Sequence, residues 1–129
     1  MLKIRTEQMK VLDDHMVRKF EDHMVTHVGK FFAERCGILG EKGIREAIRY
    51  GIHRANSYGI VSERDLCLYI DVMFEFGRDF DKDRELPWAK RILIDRTLED
   101  EPTEKMDRLY KAAVEKIHNA KGIQPESGD

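Results

Sequence analysis

A chain of 129 residues, with 41% hydrophobic and 37% charged side chains, is sized for one domain whose core needs neither a disulfide nor a structural metal. Its 23 basic and 25 acidic residues leave a formal net charge of −2 with closely mixed signs, which speaks against the basic footprint of a nucleic-acid binder. The start, Met1-Leu2-Lys3-Ile4-Arg5-Thr6-Glu7, turns polar at once, and no apolar run reaches a membrane span. Neither a signal peptide nor a membrane partner is therefore expected, and a cytoplasmic location is.

The first helix is expected to begin near Thr6, an N-cap followed by Glu7 and Gln8. Met9, Leu12, Met16, Phe20, Met24, Val28 and Phe31 or Phe32 recur in steps of three and four, the stripe of a helix that buries one face. Unbroken to about Ala33 it would be roughly 40 Å long, with Gly29 as its weak point. Cys36-Gly37-Ile38-Leu39-Gly40 reads as a connection, with Gly37 as the left-handed stop. A second helix over 41–58 carries Ile44, Ala47, Ile48, Ile52 and Ala55 and stops at Gly59.

Ser62-Glu63-Arg64-Asp65 opens the third helix as a capping box with Asp in the usual place of Glu. Leu66, Cys67, Ile70, Met73 and Phe74 share a face that Tyr69 and Phe76 widen, so this helix is expected to be central; it ends at Gly77. Residues 78–86 are irregular. Pro87 suits the first turn of a short fourth helix bearing Trp88, Ile92 and Leu93. Asp100 or Thr103 caps the last helix, whose stripe is Met106, Leu109, Tyr110, Ala113 and Ile117. The expected fold is all-α, a compact bundle of about five helices with a long N-terminal helix. Residues 1–122 form one domain, and 123–129 a disordered tail.

Three constellations invite a chemical reading. His23 and His27 stand i, i+4 on one helix, with His15 two turns upstream, a spacing that can place two imidazoles on one ion. No HExxH surrounds them and no third ligand is specified, so histidines at the polar boundary of the stripe are the preferred reading and no metal is expected. Asp79, Asp81 and Asp83 alternate as in a calcium loop, but Arg84 replaces the turn glycine and Lys90 the bidentate glutamate; helix caps and Asx turns suit them better. Cys36 and Cys67 lack a CxxC spacing and are expected to be reduced thiols; Cys67 lies in an apolar stripe as a small hydrophobe. No nucleophile or cofactor motif is present, so neither catalysis nor a cofactor is expected.

The segment Phe76-Gly77-Arg78-Asp79-Phe80-Asp81 with Leu86-Pro87-Trp88-Ala89 stands out. Its aromatics can cap the open end of the bundle, or Arg78, Phe80, Arg84 and Trp88 can anchor a protein partner, since Trp and Arg are frequent interface anchors. Met16 and Met24 offer an adaptable surface beside the first helix.

Ile48-Arg49-Tyr50-Gly51-Ile52, Tyr58-Gly59-Ile60, Ser62-Glu63-Arg64-Asp65, Asp71-x-Met73-Phe74-x-Phe76-Gly77-x-Asp79-Phe80-Asp81 and Leu86-Pro87-Trp88-Ala89 resemble, over nearly the whole chain, a family of small uncharacterised bacterial proteins. That family is similar to accessory proteins of type VI secretion spike and effector modules. The resemblance implies an adaptor, chaperone or immunity role and brings no catalytic residues. The function expected is therefore a non-enzymatic protein-binding accessory protein for a secreted effector or spike component. Its alternatives are an immunity protein neutralising a toxin, and a metal-dependent enzyme built on His23 and His27. Self-association through the long helix is a further expectation.

Overall fold

In the computed structural model the described residues are 14–120. Five α-helices follow one another: α1 (Asp14–Phe31), α2 (Ala33–Ser57), α3 (Glu63–Phe76), α4 (Pro87–Leu93) and α5 (Pro102–Ala120). Two 3-10 turns, Phe80–Lys82 and Arg96–Leu98, lie in the connections, and no strand occurs among the described residues. The all-α bundle read from the periodicities is what forms. Thr6, Met9 and Leu12, and the expected tail over 123–129, lie outside the described residues.

α1 buries Phe20, Met24 and Val28, one turn apart, as the stripe requires. Met24 is fully buried, so it offers no adaptable surface to a partner, whereas Met16 stands exposed. Gly29 is tolerated inside the helix, and the break falls at Phe32 instead (φ −133°, ψ 48°). There the ring turns inward onto Phe74, with centroids 5.7 Å apart. The chain then returns to helix at Ala33, so 36–39 is helical where the connection Cys36–Gly40 was expected. Gly40, not Gly37, supplies the left-handed residue (φ 74°, ψ 166°), and it kinks α2. That combination of angles is open essentially to glycine alone.

α3 packs on α1, α2 and α5, and buries Leu66, Tyr69, Ile70, Val72, Met73 and Phe74, which makes it the central helix the sequence predicted. The Ser62 hydroxyl caps it by accepting from the Asp65 amide at 3.2 Å. Asp65 does not reciprocate as a capping box: its carboxylate takes hydrogen bonds from Arg64 (2.8 Å) and from the Thr103 hydroxyl (3.0 Å). Thr103 is thus no cap of α5 but a tie between the starts of α3 and α5. Glu101 holds the cap position, its carbonyl accepting from Lys105 N at 2.9 Å. α2 crosses α3 closely at Gly51, where an added Cβ would lie 3.1 Å from Ile70 Cγ1 and from Met73 Sδ.

Candidate functional site

The α3–α4 connection is built inward, not outward. Gly77 (φ 116°) ends α3 and turns the chain so that Phe80 enters the core at 1% exposure, its ring 5.1 Å from that of Tyr69. Asp81 follows it in, fully buried, and one oxygen accepts from both Arg54 and Tyr58. Burial, reinforced by the hydrogen bond to Asp81, pushes the Tyr58 hydroxyl up to about 12. Arg54 Nε, Tyr69 Oη and Asp81 Oδ1 are buried without a hydrogen-bond partner among the described residues. Asp79 accepts from the Tyr50 hydroxyl, whose ring carries the Arg78 guanidinium 4.1 Å above its centroid. Asp83 accepts from the Glu85 amide at 2.9 Å, an Asx turn.

The three alternating aspartates take different partners: the Tyr50 hydroxyl for Asp79, Arg54 and Tyr58 for Asp81, and the Glu85 amide for Asp83. Of the four expected anchors, Arg84 is exposed, Arg78 is exposed but stacked on Tyr50, and Trp88 is half-buried with its ring edge 5.4 Å from Phe76. Phe80 is core, and its burial removes it as a partner anchor.

The histidines separate in the same way. His15 and His23 are exposed, while His27 turns toward α3. Its Nε2 lies 2.7 Å from Asp71 Oδ1 and 3.9 Å from Cys67 Sγ. Cys67 and Asp71 are four residues apart on α3, hence on one helix face. All three side chains are half-buried, and one ligating atom of each lies within 4.8 Å of the others. Burial, with Asp71 nearby, pushes the Cys67 thiol up to about 11. Burial also raises the Asp71 carboxyl, which the hydrogen bond to His27 partly offsets. A Cys-His-Asp catalytic triad needs thiol and acid on opposite ring nitrogens. Here both face Nε2, and burial raises the thiol rather than lowering it, so the arrangement is not that of such a triad.

His27 and Asp71 line a groove of about 390 Å³ between α1, α3 and α5. Its apolar walls are Phe31, Phe32, Val72, Phe76 and Ile117, with Tyr110 and Val114 on α5. Phe31 is 64% exposed, and Tyr110 and Val114 are each a little over a third exposed, at 38% and 37%. The sequence offered one cue to the cluster, the Cys67-x₃-Asp71 spacing, but which histidine meets it depends on how α1 crosses α3. No protein-family model, curated protein or solved structure matches this chain.

Proposed function

We propose that the chain is a non-enzymatic protein-binding accessory protein, an adaptor or chaperone that holds an apolar segment of a secreted effector or spike component. The observation that carries this is the groove between α1, α3 and α5, whose mouth leaves Phe31, Tyr110 and Val114 exposed together. Apolar side chains clustered at a surface cleft are a mark of interaction sites. A groove between helices of this size accepts the side chains of an amphipathic helix or an extended strand. The class of partner is what the resemblance to a family of small bacterial proteins, itself similar to accessory proteins of type VI secretion modules, implies. Trp88, expected as an anchor, has a different part in this reading: it backs the groove wall through Phe76.

The test is recovery of the bound protein from the native host with wild-type chain, Val114→Glu and Phe31→Ser. Both residues are exposed, so the variants keep their helical circular dichroism, and recovery is expected to fall at least about tenfold, since a charge placed in an apolar interface core is among the costliest changes. Undiminished recovery with both variants removes the groove as the docking site. Deletion of the gene separates the roles: loss of effector secretion in healthy cells fits the adaptor, whereas poisoning by a neighbouring toxin would replace it with the immunity role.

A further inference from the structure

We propose that His27 Nε2, Cys67 Sγ and Asp71 Oδ1 form a three-ligand site for a borderline-soft divalent cation, zinc above all, with its fourth position open to the groove. Three independent features converge on it. The ligand set is one imidazole nitrogen, one thiol and one carboxylate, the mixture that zinc takes and that calcium and magnesium do not. The ligands come from two helices, His27 from α1 and the i, i+4 pair Cys67 and Asp71 from α3, so their placement rests on packed elements rather than on a loop. Their spacing is close enough to adjust, because ligating atoms around a tetrahedral zinc stand about 3.3–3.7 Å apart and these three lie within 4.8 Å of one another. The His27–Asp71 separation of 2.7 Å has to open and the His27–Cys67 separation of 3.9 Å to close, which side-chain rotation on the two helices supplies.

The proton inventory points the same way. Neither Cys67 nor Asp71 has another hydrogen-bond partner among the described residues, so both depend on one nitrogen. With a proton on Nε2 the ring serves Asp71 and offers the thiol only an N–H; with the proton on Nδ1 it serves the thiol and sets its lone pair against the carboxylate. A cation at the centre satisfies all three donors, the thiol proton leaving to solvent as the Cys67 sulfur binds. His27 and Asp71 line the groove, so water or a polar group of a bound segment completes the coordination. The inference rests on this geometry and not on the partner reading, and it is tested on the isolated chain.

The full chain, prepared without a histidine tag and stripped with chelator, is titrated with Co²⁺ and then Zn²⁺. One equivalent of Co²⁺ is expected to give the visible bands of a tetrahedral ion and a near-ultraviolet thiolate charge-transfer band, both erased by Zn²⁺. Cys67→Ser should abolish the charge-transfer band, and Asp71→Asn and His27→Gln should each weaken binding at least about tenfold. Cys36→Ser, His15→Gln and His23→Gln should leave the spectrum unchanged. If Co²⁺ gives no thiolate band, or if the band follows Cys36, or if folded Cys67→Ser and Asp71→Asn bind as tightly as wild type, the site does not exist. Should Cys67→Ser fail to fold, the wild-type spectrum and Asp71→Asn decide.

Discussion

Asp81 and Glu21, two of the three buried acids among the described residues, both contact arginines of α2. Among the described residues Asp81 is the sole anionic partner of a mostly buried Arg54. Asp81→Ala is expected to destabilise by about 3–5 kcal/mol in urea unfolding, because it strands that guanidinium and the Tyr58 hydroxyl. Glu21 lies against Arg49 at 2.5 Å and Arg45 at 2.8 Å. Burial alone would raise its carboxyl, but the two arginines bring it below its ordinary 4.5. A folded-state value below the unfolded one contributes stability that is present above pH 4.5 and is lost as pH falls through the folded value. The raised carboxyl of Asp71 has the opposite sign, its burial cost relieved as pH falls. Unfolding free energies measured across the acid range should therefore flatten in Glu21→Gln; an unchanged slope would place the acid sensitivity elsewhere.

At the scale of helices, two glycines that look alike in sequence behave differently. Gly29 sits in the interior of α1 with nothing within 4 Å of an added Cβ. Gly29→Ala is expected to stabilise by about 0.5–1 kcal/mol, seen as a higher melting temperature. Gly51 gains the same helix propensity on mutation, but its Cβ would press on Ile70 and Met73 across the α2–α3 crossing. Gly51→Ala is expected to destabilise by about 1–2 kcal/mol net, since strain in a packed contact exceeds the propensity gain. If both variants shift the melting temperature upward, the crossing is looser than the contacts imply. The helices themselves were legible because stripes such as Phe20, Met24, Val28 and Met106, Leu109, Ala113 are spaced by the helical repeat. The joint at Phe32 was not, because the residue leaves helical geometry to stack on Phe74, a partner 42 positions away whose location no local propensity encodes.

Across the whole molecule, the α3–α4 connection decides how the surface is read. A charged, irregular segment between two helices looks like a free recognition loop, yet Phe80 and Asp81 pin its middle into the core. Trypsin should therefore cut slowly after Arg78, Lys82 and Arg84, despite their exposure, because cleavage requires the segment to leave the core locally. Early nicking there under native conditions would show the anchoring to be weak. The same packing carries the apolar mouth of the groove away from the predicted loop to α1 and α5, where Tyr110, expected in the buried stripe, emerges beside Phe31. No helix among the described residues is long and apolar enough to cross a membrane.

What the sequence determined by itself is the local part: helix type and order, the α3 cap at Ser62, the stop at Gly77 and most of the buried stripe. These follow from the 3.6-residue repeat and from backbone chemistry that acts over a few positions. Only the tertiary structure decided that Phe80 is core, that the three loop aspartates part company, and that His27 abandons His23 for Cys67 and Asp71. The decisive pairs among them lie far apart in sequence, Asp81 with Arg54 at 27 positions and His27 with Asp71 at 44. They depend on how the helices cross, which is set by the summed packing of all of them and is written in no single segment.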